Sequence, residues 1–280
     1  MTADGDRSAK SKAETTPTPT EEGPETPDGV SRRRFLQACG IAAAGLAASA
    51  FVGHASLNAI GSLNVSGESD RDWVMVIDLN RCNGCGDCVR ACQQRHNVPA
   101  GQEWITIYRM PAEDGSTYPF PRPCMQCDNP PCVFVCPVMG ATFAREDGVV
   151  LIDQNRCIGC RYCMAACPYG ARYFNWGGRP ELTPDELRIY SPEHPVVHRR
   201  GTVEKCMFCI HQTPGGRLPQ CVGSCVEGAM FFGDRREDAV TNSKGETLAL
   251  SELLRNGAFR WKEELGTRPR VYYVPRRGGP

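Results

Sequence analysis

"RCIGCRYCMAACPYG", residues 156 to 170, sets four cysteines within eleven residues and follows the last with proline. A closely similar run, "RCNGCGDCVRACQQ", occupies residues 81 to 94. Both read C-x2-C-x2-C-x3-C, with Cys82, Cys85, Cys88 and Cys92 in one and Cys157, Cys160, Cys163 and Cys167 in the other. Of 17 cysteines, all but Cys39 fall into four groups; the second, Cys124, Cys127, Cys132 and Cys136, stretches the middle gap by two residues, and the fourth, Cys206, Cys209, Cys221 and Cys225, opens it to eleven. Cysteines at i, i+3 and i+6 can wrap a loop around one face of an iron–sulfur cube. The fourth is carried off to ligate a neighbouring cluster. A structural zinc site wants two C-x-x-C pairs and has no use for a third close cysteine. Disulfides tolerate irregular spacing and do not demand one pattern four times over. The pattern predicts four [4Fe–4S] clusters as cofactors.

Such loops need short elements to hold them. "VIDLNRC" at 76 to 82 and "LIDQNRC" at 151 to 157 match at the same offset as the two cysteine runs, so the unit is a short apolar strand running into a cysteine loop, present twice. Groups two, three and four leave their last cysteine through "CPVMGATF", "CPYGARYF" and "CVEGAMFF", each an exit through glycine and alanine into an apolar run. "ATFAREDGVVLID" between groups two and three reads as a hairpin turning at Glu146-Asp147-Gly148. The expected fold class is α+β, with tandem ferredoxin-like units of short strands and helices organised around the clusters. The four-cluster domain is placed at 72–233, followed by a capping segment at 234–280 in which "TLALSELLRNGAFRWKEEL" reads as one or two short helices.

The N-terminal region has a different character. Residues 1–30 are mostly Thr, Pro, Glu, Asp, Gly, Ala and Ser, with little to bury, and read as a disordered extension. Residues 31–59 hold three consecutive arginines, an Ala/Gly-rich stretch and small residues suited to cleavage. They resemble a twin-arginine export signal, with Ser31, Arg32, Arg33, Phe35 and Leu36 in the matching places. The alternative is a retained anchor, but Ala, Gly, Ser and Asn make a poor spanning helix. Cys39 reads as incidental to the signal. Export of folded cargo suits a domain whose clusters are built in the cytoplasm, and places it in the periplasm.

Lys plus Arg equals Asp plus Glu, 32 each, so no basic surplus points to nucleic acid. Arg81, Arg122, Arg156 and Lys205 each stand one or two residues before the first cysteine of a group and are candidates for tuning an anionic cluster. The five histidines, His54, His96, His194, His198 and His211, show no metal-pair spacing. His96 and His211 follow cysteine groups, yet exposed surface histidine is the stronger expectation for both. Trp176 is expected to be packing, and the long loop at 177–197 either a partner contact or a solvated excursion. No P-loop, dinucleotide fingerprint or catalytic constellation is present.

From about Trp73 to Pro275 the chain resembles the four-cluster, ferredoxin-like electron-transfer subunits of membrane oxidoreductases, those of polysulfide, tetrathionate and dimethyl sulfoxide reduction among them. The residues that carry the resemblance are "PCMQCDNPPCVFVCP", "DGVVLIDQNRCIGCRYCMAACPYGARYFNW", "EKCMFCIHQ", "GAMFFGD" and "ELGTRPRVYY". Gln93 and Val226 stand where many relatives have proline after the cysteine. The resemblance implies an electron relay without catalysis of its own, between a multi-helix quinone-reactive membrane subunit and another redox centre. That centre is a molybdopterin-dependent catalytic subunit or a c-type cytochrome, and membrane association comes through the partner. A freestanding polyferredoxin and a structural or sensing protein are the alternatives. Groups two and three lie close in sequence and should exchange their fourth cysteines. Cys124, Cys127 and Cys132 would take Cys167, and Cys157, Cys160 and Cys163 would take Cys136. Cys82, Cys85 and Cys88 would then pair with Cys225, and Cys206, Cys209 and Cys221 with Cys92, the arrangement the resemblance also implies.

Overall fold

Six residues of unbroken apolar character, WVMVID apart from its final aspartate, form strand β1 (Trp73–Asp78), buried along almost its whole length. Successive strand side chains point to opposite faces. Met75 and Ile77 therefore enter one apolar cluster, and Val74 and Val76 a second one behind it. A strand covered on both faces reads in sequence as a continuous apolar run. The computed structural model describes residues 70–112, 114–177, 190–194 and 198–277. The disordered-extension and export-signal readings, Cys39, His54 and most of the 177–197 loop lie outside these residues. No helix among the described residues is long and apolar enough to cross a membrane.

After β1 come the first cysteine loop and helix α1 (Asp87–His96), then a hairpin of β2 (Thr106–Pro111) and β3 (Thr117–Arg122). The second group carries α2 (Pro131–Phe134), and the expected hairpin follows as β4 (Thr142–Ala144) and β5 (Val150–Ile152). The third loop leads into α3 (Tyr162–Ala166) and β6 (Tyr173–Phe174), which pairs with β7 (Val203–Glu204). The fourth group includes α4 (Gln220–Gly223). The chain closes with β8 (Met230–Asp234), β9 (Ala239–Asn242), β10 (Thr247–Ala249), α5 (Leu250–Arg255), β11 (Phe259–Arg260) and β12 (Val271–Val274). The architecture is α+β, short strands and short helices between cysteine loops.

Six strands make the main sheet in the order β10-β9-β8-β1-β12-β11. Val76 of β1 faces Phe231 of the antiparallel β8 on one side and Tyr272 of the parallel β12 on the other. Residues 234–280 therefore do not form a cap separate from the cysteine domain. They supply four strands of the sheet whose centre is β1, and α5, with Leu250 against Val74, Val76 and Val240, packs on its outer face. The "TLALSELL" stretch splits into strand β10 and helix α5.

One buried ionic knot reinforces this closure. Arg270, just before β12, pairs with Asp72 and with Asp128, the latter at 2.5 Å, and donates to the carbonyl oxygens of Trp73 and Asp147. Arg235 also pairs with Asp72 and Asp128. Burial by itself would raise the Asp72 carboxyl, but the Arg235 and Arg270 guanidiniums hold it below the ordinary carboxylate value. Gly148, at the turn between β4 and β5, has φ of +80°. A Cβ there would fall 1.8 Å from the Arg270 guanidinium carbon, so the turn and the ion pair share one constraint.

Candidate functional site

The sixteen described cysteines are all free thiols, and they gather in four sets. Cys82, Cys85, Cys88 and Cys225 line one pocket, walled by Ile107, Pro121 and Met230. Cys124, Cys127, Cys132 and Cys167 line a second, closed by Pro131, Pro168 and Tyr169. Cys136, Cys157, Cys160 and Cys163 line a third, beside Ala141, Thr142 and Val203. Cys92, Cys206, Cys209 and Cys221 are all buried where α1 packs on α4. In each set three cysteines come from one group and the fourth from another, so the sets interleave.

Local geometry explains how. Gly84 and Gly86 take left-handed φ and turn the first loop back on itself, and a Cβ on Gly84 would meet Pro119 at 2.9 Å. Gly159 does the same in the third loop, where a Cβ would stand 2.1 Å from the Gly201 carbonyl oxygen. The proline difference also has a structural reason. Helix α3 ends at Ala166, and Cys167 is extended at φ −80°, ψ 109°, the conformation a following proline requires. Cys92 instead lies inside α1, which runs on to His96, where the Gln93 carbonyl accepts the Asn97 N–H. Proline at 93 would break that helix. Helix α1 carries Cys88, Cys92 and His96 at i, i+4 and i+8 on one buried face.

Buried thiols resist ionisation on their own. Burial, then the neighbouring thiols, push Cys88 up to about 12. Burial also drives Cys92 and Cys221 well above the ordinary thiol value, with the other thiols of their set adding to it. Such groups become thiolates when a metal centre supplies the compensating charge. Backbone donors already face sulfur: Ala229 N–H reaches Cys225 Sγ at 3.3 Å, and Val203 N–H reaches Cys157 Sγ at 3.5 Å. Arg172 is buried beside the Cys124 set, and its Nε and Nη2 have no hydrogen-bond partner among the described residues. Burial would lower its pKa, but the Cys132, Cys163 and Cys124 thiols raise it. A buried guanidinium with spare donors, between two sets of thiols, fits an anionic iron–sulfur group on either side.

The four cations expected from sequence fare unevenly. Lys205 is buried near Cys206 and Cys132, with Nζ donating to the Cys206 carbonyl at 2.8 Å. Arg81 is taken by Asp78 and Glu246, and Arg156 by Asp153. Arg122 turns to Tyr108, Tyr173 and Thr106. Standing next to a cysteine in sequence does not aim a long side chain at it. Arg172, five residues past Cys167, was missed for the same reason.

His96 also departs from expectation. It is 2% exposed, not a surface residue, and its Nε2 lies 3.3 Å from Cys209 Sγ. The i, i+4 step from Cys92 was the available signal. His211 stands edge-on to it at 5.4 Å, with both ring nitrogens buried and without a hydrogen-bond partner among the described residues. Trp176, expected to be packing, is 64% exposed, with its ring edge-on to Phe174 and Arg161 over its face.

Fold and thiol geometry define an iron–sulfur protein of ferredoxin type, and comparison with known proteins places it more closely. Residues 116–180 and 193–235 match the 4Fe-4S dicluster domain, and residues 73–94 a 4Fe-4S binding domain. A selenate reductase subunit of Mesobacillus selenatarsenatis is 41% identical over 220 residues, covering 72% of this chain and 71% of its own. The menaquinone reductase iron-sulfur cluster-binding subunit of Nitratidesulfovibrio vulgaris is 38% identical, covering 73% and 89%. A tetrathionate reductase subunit of Salmonella typhimurium is 36% identical, covering 87% and 88%. The chain belongs to the family of 4Fe-4S dicluster iron–sulfur subunits of oxidoreductases.

Proposed function

We propose that the chain is the electron-transfer subunit of a membrane-associated oxidoreductase complex, relaying single electrons through four [4Fe–4S] clusters. The observation that carries this reading is the interleaving of sixteen thiols into four sets of four. When bound, the clusters supply one-electron redox chemistry. The chain's own part is to hold them between cysteine loops and set their charge environment. One partner is a multi-helix quinone-reactive membrane subunit, through which the chain associates with the membrane. The other is a molybdopterin-dependent catalytic subunit or a c-type cytochrome. Met139, Ile158, Tyr162 and Trp176 are large, apolar and exposed, and Ile158 borders the Cys136 cavity. An exposed apolar side chain at the edge of a redox site suits burial against a partner subunit.

Anaerobically purified protein should carry about sixteen irons and about sixteen acid-labile sulfides, four cubes at four of each. Stoichiometric zinc, or iron at half that level with eight alkylatable thiols, would contradict a four-cluster relay.

The same reading places the protein in the periplasm, exported folded by the twin-arginine route. Changing Arg32→Lys and Arg33→Lys together should strand it in the cytoplasm with its iron content intact. Because Arg34 can shift the register, the triple lysine variant is the control. Efficient appearance of that triple variant in the periplasmic fraction would overturn the assignment.

A further inference from the structure

We propose that His96 donates a hydrogen bond to Sγ of Cys209 and so raises the reduction potential of the cluster held by Cys92, Cys206, Cys209 and Cys221. The inference rests on the cluster reading above and adds a residue that no cysteine motif contains.

His96 Nε2 stands 3.3 Å from Cys209 Sγ in a buried setting. A cysteine that ligates iron has no proton, so the contact is a hydrogen bond only if the ring nitrogen carries one. The tautomer argument agrees. His96 Nδ1 has no hydrogen-bond partner among the described residues. A proton placed there would leave a buried donor unsatisfied and turn the Nε2 lone pair toward the thiolate. The N–H therefore belongs on Nε2. Reduction adds negative charge to the cluster, and a donor on a ligand sulfur stabilises the reduced form more than the oxidised one.

The surroundings hold the ring in this place. Helix α1 sets His96 one turn beyond Cys92 on the same face, and the Trp104 ring packs on it at 4.9 Å. His198 Nε2 donates to the His96 carbonyl oxygen at 2.5 Å, while His198 Nδ1 lies 2.8 Å from Glu204 Oε2. These two contacts fix the His198 ring between the His96 carbonyl and the buried Glu204 side chain. Glu204 also accepts from Trp104 Nε1 at 3.2 Å and from Asn175 Nδ2 at 2.9 Å. One carboxylate thus secures both the group beneath the His96 carbonyl and the ring against its imidazole.

The test is an EPR-monitored redox titration of the full, iron-loaded protein. His96→Phe, which keeps the ring volume and loses the donor, should lower the midpoint of one cluster and leave the others in place. A tenfold change in its reduced-to-oxidised ratio is about 59 mV for one electron. His96→Gln, which restores an N–H of similar reach, should recover most of the shift. Full iron with every midpoint unchanged in His96→Phe would overturn the proposal. If His96→Phe loses a cluster, wild-type protein labelled with 15N-histidine decides instead. A nitrogen hyperfine coupling on one reduced cluster supports the bond, and no coupling on any cluster overturns it. Wild-type protein lacking the iron of the Cys92 set would sink the cluster reading itself, a result read before any variant is made.

Discussion

Cys225→Ser should abolish or alter the same EPR signal as Cys85→Ser, and leave the signal sensitive to Cys160→Ser as it is in the wild type. Cys225 lies far from Cys85 in sequence, yet both line one cavity with Cys82 and Cys88. The thiols within the set are close enough to raise one another: Cys225 contributes to the upward shift of Cys82, Cys85 and Cys88. Cys160 lines a different cavity with Cys136, Cys157 and Cys163. Serine keeps the shape but is a far poorer iron ligand than thiolate, so the cluster it touches is lost, loses one iron or changes spin state. The effect is confined to one signal. If Cys225→Ser changed the Cys206-sensitive signal instead, each sequence group would be holding its own cluster and the interleaved arrangement would fall. Cys136→Ser against Cys124→Ser is the companion pair, and these two should act on different signals although both cysteines belong to group two.

Arg270→Met should lower the apparent unfolding midpoint by about 6–20 °C. The side chain is nearly buried and bridges Asp72 and Asp128, with carbonyl contacts to Trp73 and Asp147. Methionine fills similar volume but strands two partly buried carboxylates, leaving only Arg235 to meet both. Breaking a buried pair by removing one partner costs about 3–5 kcal/mol, and each kcal/mol moves a domain of this size by about 2–4 °C. Because the folded Asp72 value is depressed, its contribution is complete above the unfolded value of 3.8 and is lost only as pH falls through the folded one. At pH 7 the carboxylate is ionised and the full cost applies. Loss of cluster absorbance on heating is irreversible, so wild type and variant are compared anaerobically at one scan rate. A change under about 2 °C, less than one kcal/mol at this size, would show that Arg235 alone suffices for both carboxylates.

The sequence by itself determined the chemistry. Two runs of one cysteine spacing and two groups with a widened middle gap point to four thiol sets, because ligand reach around a cube favours i, i+3 and i+6 over a few residues. It also showed the β4–β5 hairpin, whose turn lies at Glu146-Asp147-Gly148, and the strand-into-loop unit at β1 and β5. These features are local, and local sequence records them. What only the tertiary structure decided lies at long sequence separation. Residues 234–280 read as a cap of one or two short helices, yet β12 pairs with β1 in parallel, a contact that no spacing near either strand encodes. Charge placement was decided the same way. Arg81, Arg122 and Arg156 stand next to cysteines in the chain but are taken by carboxylates and hydroxyls, whereas Arg172 and Lys205 are buried beside the thiols. His96 falls between the two cases: its place on the helix face of Cys88 and Cys92 follows from the helical period, but the sulfur it meets belongs to Cys209, delivered by a loop more than a hundred residues away. A side chain's direction follows from its own backbone, and its partner from the packing of the whole domain.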